Sequence, residues 1–526
     1  MDQSISRRDL FRRGRDIGGL TAFASVLPMS ADAAPAAPSG AAADDDVYRR
    51  IGVRPFINAR GTYTVLSGSL MLPEVRAAMD LAARQYVHLD ELTEAIGGRL
   101  AALTGAEWGL VTSGCAAALT HATAACVAGG NPDLHIRIPH LAGFPKDEVV
   151  IPTHSRNVYD AALRVVGVRV IEAATRAEFD AALGPRTAMI YVLAGPAADE
   201  SALNLQAIAP LAAARGVPIL VDAAAEILTI PNVHLARGAT LVGYSGGKCL
   251  RGPQTAGLLL GRKDLVTAAW VHSAPHHGFA RGHKVGKEEA IGMLAAVEQW
   301  VRRDHDGERA RWTSWLEHIA SRVDSVESIE TEVVQPAGLS NRTPSLRIRW
   351  STGRIGLTGD AVARTLFSTE PRISLFPLWS NPEQRSGVSI TPYMLVPGDE
   401  RVIADRLAAV LAAAPRPEAA AAPAAPVADL TGTWRVEIAY AASRSTHTLH
   451  LRQRGGEVDG THQGEFVSRG LTGEIAGREV TLRSHYGEEH GDALSFRFTG
   501  TVDGDTMTGT LDMGEYLHAA WRATRG

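Results

Sequence analysis

From residue 70 onward the chain alternates helix-period apolar patterns with short β-branched runs, and this alternation constrains its fold more than any other feature. Residues 70–85 and 89–104 carry apolar side chains at helical spacing, whereas Glu148–Pro152, 169–171, 188–193 and 218–222 are brief apolar runs. The pattern predicts an α/β domain, a parallel sheet with helices on both faces. Ligands of such sheets collect at the carboxyl ends of the strands. Side chains at those ends are therefore the first candidates for chemistry.

Two of them form a suggestive pair. Asp222 closes the run Ile219-Leu220-Val221-Asp222, and Lys248 sits in Val242-Gly243-Tyr244-Ser245-Gly246-Gly247-Lys248-Cys249-Leu250-Arg251-Gly252-Pro253-Gln254. A strand-end acid followed by a lysine in a glycine loop is what pyridoxal phosphate requires: an amine for its aldehyde and a carboxylate for its pyridinium nitrogen. An opposite charge beside the ring nitrogen favours the protonated form. The glycines permit close backbone approach, and the Ser245 hydroxyl can donate to the phosphate. Ser113-Gly114-Cys115 precedes an Ala-rich helical run, whose free N–H groups make an anion site, so the phosphate is expected there.

The segment 244–264, together with Val111-Thr112-Ser113-Gly114-Cys115-Ala116-Ala117-Ala118-Leu119, resembles the selenocysteine synthase group of fold-type I pyridoxal phosphate enzymes. Within it, the chain is most similar to the branch that includes D-glucosaminate-6-phosphate ammonia-lyase. Further matching stretches are Ile57-Asn58-Ala59-Arg60-Gly61-Thr62, Ser155-Arg156-Asn157-Val158-Tyr159-Asp160, Lys284-Val285-Gly286-Lys287-Glu288-Glu289 and Thr391-Pro392-Tyr393-Met394-Leu395. The resemblance runs over about residues 47–411. It implies a large cofactor-binding domain over 47–306, with the N-terminal segment covering the site, and a smaller α+β domain over 307–412. It also implies a long helix across 268–301 joining the two, and a homodimer or higher homo-oligomer with its sites at the subunit interface.

The resemblance further implies that the loop holding His154, Ser155, Arg156 and Asn157 lies over or beside the pyridine ring, with His154 able to stack on it. A substrate carboxylate calls for an arginine fork. Arg372 in the small domain is the first candidate and Arg60 on the covering segment the second. Arg347 and Arg349 alternate with apolar residues on a strand and are expected to face solvent. Lys287 rivals Lys248 as the cofactor lysine, but it begins a helix and lacks the strand-and-glycine setting.

Composition narrows the remainder. The 526 residues, 45% of them hydrophobic, suffice for a sizeable core and more than one domain, and a net charge of −4 offers no basic field for nucleic acid. Residues 1–34 combine Ser6-Arg7-Arg8-Asp9-Leu10-Phe11-Arg12-Arg13, an apolar stretch over 17–27 and Ala31-Asp32-Ala33-Ala34, an export signal of the twin-arginine type. A periplasmic or secreted holoenzyme is expected, with no stable membrane anchor once the signal is removed. Residues 35–46 read as a tether. Cys115, Cys126 and Cys249 are too few for a disulfide framework. They are expected to be packing thiols rather than sulfur-transfer nucleophiles.

A Pro/Ala linker over 413–428 leads to period-two alternation with Gly/Asp turns across 429–526, a separate all-β module, a small meander or barrel. Its histidines, His447, His450, His462, His485, His490 and His518, lack compact ligand spacing, so no metal is expected. The resulting functional expectation is a pyridoxal phosphate lyase acting on a small amino substrate, with Lys248 and Asp222 as catalytic residues. An aminotransferase or racemase would use the same pair. A non-catalytic exported binding protein is the reading from another class.

Overall fold

The computed structural model describes residues 46–378, 385–415, 424–484 and 495–526. The export signal lies outside them, as do the tether up to residue 45, His485 and His490. Residues 46–55 belong to a unit of their own, in which a single 3-10 turn, Arg49–Ile51, ends at Gly52 with φ 79°.

From Phe56 onward the strands are β1 (Ile57–Asn58), β2 (Trp108–Thr112), β3 (Glu148–Pro152), β4 (Arg169–Ala173), β5 (Thr187–Leu193), β6 (Ile219–Asp222), β7 (Leu241–Ser245) and β8 (Gly257–Gly261). Seven of them form one sheet in the order β2-β8-β7-β6-β5-β3-β4. β3 to β7 pair in parallel, but β8 runs antiparallel to both β7 and β2. The sheet is therefore mixed, not wholly parallel as expected. The turn that carries Lys248 sends the chain straight back as β8, with no helical crossover between them.

Side-chain alternation fills both faces. Val149, Ile151, Met189, Tyr191 and Leu220 pack on the side of the helix Gly114–Ala128, while Val150, Ile190, Val192 and Val221 pack against the helices Leu89–Thr104, Leu205–Ala214 and Lys287–Arg302. Burial on both sides explains why these runs are continuously apolar. The expected helix over 268–301 is broken: Lys263–His272 and Lys287–Arg302 are separated by a loop containing Pro275, Gly278 and Gly282. Proline lacks the N–H that would continue the ladder, and glycine costs the most backbone entropy in a helix.

The small domain adds β9 (Ile329–Val334), β10 (Ser345–Ser351), β11 (Ile373–Ser374), β12 (Phe376–Leu378) and β13 (Arg385–Ile390). An antiparallel sheet of order β12-β13-β10-β9 packs its Leu346, Ile348, Trp350 and Val388 against the helices His305–Val323 and Asp399–Ala412. β1 pairs in parallel with β11, and Thr391 N–H donates to Ala59 O at 2.8 Å. The N-terminal segment is thereby tied to the small domain.

Residues from Gly432 to Arg525 close an eight-stranded antiparallel barrel in which each strand pairs with its sequence neighbours and the last with the first. Closure leaves no free sheet edge. Within the barrel, the strands Ser468–Ala476 and Glu479–Ser484 are joined by a turn at Gly477. Inward residues include Trp434, Leu449, Phe498 and Trp521, and His447 Nδ1 lies 2.8 Å from His462 Nε2 in the interior.

Candidate active site

Asp222 lies at the C-terminal end of β6, 2% exposed, on the floor of a cavity of about 520 Å³. Its carboxylate accepts from Tyr191 Oη at 3.0 Å and Ala224 N at 3.0 Å, with Cys115 Sγ at 3.5 Å. Tyr191 in turn accepts from Asn157 Nδ2 at 3.1 Å. Burial raises the Asp222 pKa, while these donors and the Lys248 charge pull it back down. Burial also pushes the Cys115 thiol well up, reinforced by the adjacent carboxylate, and Cys249 rises to about 11 for the same leading reason. Thiolates are the reactive form, so neither thiol is activated here.

Lys248 enters the same cavity from the loop after β7, and Ser245 lines it from the strand end. The loop is tight: Gly246 N donates to Ala256 O at 2.8 Å and accepts Gly252 N through its own carbonyl at 2.9 Å. A Cβ on Gly246 would sit 2.6 Å from Ala256 O and from Met293 Sδ. The covering segment holds the loop from above, with Ser69 N bonded to Gly247 O at 2.9 Å and Gln254 Nε2 to Thr64 O at 3.3 Å.

The third element is the start of the helix Gly114–Ala128. Gly114, with φ 82°, turns the chain out of β2, and Gly114, Cys115 and Ala116 line the cavity. A side chain at Gly257 in β8 would place its Cβ 2.4 Å from Gly114 C and 2.6 Å from Cys115 N. The absence of one lets the helix start settle directly on the strand. The unsatisfied N–H groups of a helix's first turn favour an anion.

Arg60 reaches the cavity from the covering segment, its guanidinium carbon 5.2 Å from the Tyr63 ring centre and 5.4 Å from that of Phe376. Its Nε is buried without a hydrogen-bond partner. Tyr393 closes the wall with a buried hydroxyl that is likewise unpartnered.

The structure thus brings together Lys248, Asp222, Ser245, Gly114, Cys115 and Arg60, and leaves three expected residues aside. Ser113 precedes the helix without lining the cavity, and its side chain makes no capping bond. His154 does not line the cavity either. Ser155 Oγ accepts from Leu193 N at 3.1 Å and holds His154 Nδ1 at 3.0 Å, and Tyr159 from the next turn occupies the cavity wall instead. Arg372 is also outside, because its Nε donates to Phe367 O at 2.7 Å and its guanidinium stacks at 4.1 Å on that ring. Arg347 and Arg349 both reach Glu332 on the outer face of their sheet. Lys287 pairs with Glu288 at a helix start.

Tyr191 is the residue that sequence reasoning missed, whereas its partner Asn157 belongs to the loop expected beside the ring. Tyr191 interrupts an apolar strand with a hydroxyl one turn of alternation before its C-terminal end, and that was the available signal. Among the described residues, no three His, Cys, Asp or Glu side chains converge as a metal site requires.

The residues present fit pyridoxal phosphate. One cavity collects a helix-start anion site, an amine and a buried carboxylate backed by two donors, and the glycine at position 257 keeps the cradle clear. No family model matches the chain. It is 29% identical over 330 residues to the D-glucosaminate-6-phosphate ammonia lyase of Salmonella typhimurium, covering 61% of this chain and 86% of that one. It is 33% identical over 299 residues to the 5'-C-glycyluridine monooxygenase-decarboxylase of a Streptomyces species, covering 55% and 73%. An L-seryl-tRNA(Sec) selenium transferase of Moorella thermoacetica is 27% identical over 385 residues, covering 64% and 72%. A solved structure of D-glucosaminate-6-phosphate ammonia-lyase matches with a TM-score of 0.63 at 28% identity, over 70% of this chain and 99% of its own. The chain belongs to the selenocysteine synthase-like group of fold-type I enzymes, and pyridoxal 5'-phosphate is its cofactor.

Proposed function

We propose that the chain is an ammonia-lyase that removes the α-proton of an amino acid or amino sugar acid, expels a β-substituent and releases ammonia and a keto acid. The observation that carries this reading is the convergence of Lys248, Asp222 and Arg60 on one cavity. The likeness to an ammonia lyase over 86% of that relative's length supports elimination over transamination or racemisation.

When bound, pyridoxal phosphate supplies an electron sink for the α-carbon. Lys248 would hold its aldehyde carbon, Asp222 its ring nitrogen, and the first-turn N–H groups with Ser245 its phosphate. Arg60 offers a planar pair of donors to the substrate carboxylate, which fixes the α-hydrogen relative to the Lys248 amine. With the substrate held there, Lys248 Nζ would take the α-proton and return a proton to the leaving group. Tyr191 and Ala224 hold the Asp222 carboxylate in position and favour its ionised form. Tyr63, Gln254 and Tyr393 wall the cavity.

The decisive variant is Lys248→Ala. It is expected to lose the visible absorption band of the bound cofactor together with ammonia release from an amino-acid panel; an unchanged band would refute the assignment. Amino transfer to an added keto acid, or inversion of the α-carbon without ammonia, would instead favour a transaminase or racemase. The paired arginines Arg7-Arg8 and the apolar stretch over 17–27 support export of a folded holoenzyme, which cell fractionation checks. A site assembled at a dimer interface is part of the same proposal, and sedimentation of the holoenzyme tests it.

A further inference from the structure

Behind the cofactor cavity lies a second one, of about 500 Å³, and the two share Ala225, Asn341, Thr343 and Tyr393 as a common wall. Asn341 and Thr343 of that wall belong to a strap from the small domain. Ile227 N bonds to Leu339 O at 3.1 Å and Asn341 N to Ala225 O at 2.8 Å, so residues 339–341 run alongside the loop that follows Asp222. Asn341 takes φ 44°, a left-handed conformation that asparagine tolerates better than most residues.

The chamber has a distinct chemistry. Ile227, Leu228, Trp300 and Trp312 give it broad apolar faces. Trp300 is fixed by its indole N–H on Leu228 O at 2.7 Å, and Trp312 meets Tyr393 edge-on at 5.4 Å. Three arginines border it. Arg303 is spent on Glu308, at 2.7 and 3.1 Å, and on Cys249 O at 3.0 Å. Arg309 pairs with Asp306. Arg342 is exposed and belongs to no ion pair among the described residues. One uncompensated cation therefore stands beside aromatic surface, and the buried Tyr393 hydroxyl on the shared wall has no partner.

We propose that this chamber seats the distal part of the substrate, and that the substrate is an α-amino acid with a ring-bearing side chain ending in a phosphate or carboxylate. The proposal rests on reading the adjoining cavity as an amino-acid site. A ring packs against the half-buried Trp312, a polar substituent satisfies Tyr393, whose hydroxyl is otherwise left buried and unmet, and the terminal anion meets Arg342. A serine-sized substrate engages none of these groups.

The test uses holoenzyme and follows the cofactor's visible band during titration with both enantiomers of serine, tyrosine, O-phosphotyrosine and 4-carboxyphenylalanine. The ring-and-anion probes are expected to act at concentrations about tenfold below serine, as one added contact of ordinary strength provides; comparing the last two separates phosphate from carboxylate. Val301 lines the second chamber from a half-exposed helix position and does not line the cofactor cavity. Val301→Trp should erase the advantage while leaving serine titration and cofactor affinity unchanged. Arg342→Gln should erase the difference between the anionic probes and tyrosine. Equal titration by serine and phosphotyrosine in the wild type, or an advantage that survives both variants, overturns the proposal. Calorimetry of phosphotyrosine on the same preparation keeps the two readings apart. Chamber-dependent binding without a band would count against the cofactor-site reading alone, and a band without preference would count against the chamber alone.

Discussion

Replacing Tyr191 by phenylalanine removes a single oxygen from the interior and should be felt at the cofactor. Its hydroxyl donates to Asp222 Oδ2 at 3.0 Å, and both residues are buried. A hydrogen bond to a charged acceptor contributes about 1.5–3 kcal/mol, against about 0.5–1.5 for one between neutral groups. The donor therefore favours the ionised carboxylate over the protonated one by about 1 kcal/mol. The Asp222 pKa is already raised by burial, with Tyr191 among the groups that lower it. The variant should raise it further. A carboxyl whose folded pKa exceeds its unfolded value destabilises the fold once pH rises above that unfolded value. The apoprotein variant should thus be less stable than wild type near neutrality, with a gap that narrows as acid protonates Asp222 in both. Cofactor affinity, measured by equilibrium dialysis across a pH series, should fall by about fivefold, most at the acidic end where the variant's carboxylate is lost first. Wild-type affinity across that series would refute the coupling of Tyr191 to the ring-nitrogen site.

Two other outcomes follow from the same geometry. Arg60→Ala should raise KM for carboxylate-bearing substrates by at least about tenfold while leaving the cofactor band in place, whereas Arg372→Ala should leave KM unchanged, because that arginine is committed to Phe367; steady-state kinetics of both variants checks this. In the barrel, burial lowers His462 from 6.5 to about 3 and lowers His447 as well. A histidine depressed in the folded state contributes stability that is complete above its unfolded pKa and is lost as pH falls below it. Hydrogen-exchange protection in Arg444–Arg454 and Glu457–Gln463 should therefore decline between about pH 6.5 and 4, and His462→Phe should flatten that decline.

The layered fold and the lysine–aspartate pair were legible because each rests on local pattern. Glu148–Pro152 reads as a strand from its own side chains, and Asp222 declares itself as an acid at the end of an apolar run. What the sequence withheld depends on how distant segments meet. Nothing in the residues near Arg372 announces that Phe367 will occupy it, and nothing near His154 shows that Ser155 will be captured by Leu193 N. Tyr191 is hidden for a related reason, since its partner Asn157 is 34 residues away and its hydroxyl matters only because β5 and β6 are neighbours. The antiparallel course of β8 follows from its direct return after the Lys248 loop, which local apolarity alone does not reveal.

The pairing of β1 with β11 has a mechanical consequence. Arg60 follows β1 by two residues and is anchored through it to the small domain, whereas Lys248 and Asp222 are fixed to the large sheet. The proposed substrate grip and the proposed proton acceptor thus stand on opposite arms of a lever. Any tilt between the arms changes the distance from grip to proton acceptor. Under the proposed function, a substrate carboxylate held by Arg60 would be discriminated through that leverage, before any bond to hydrogen is broken.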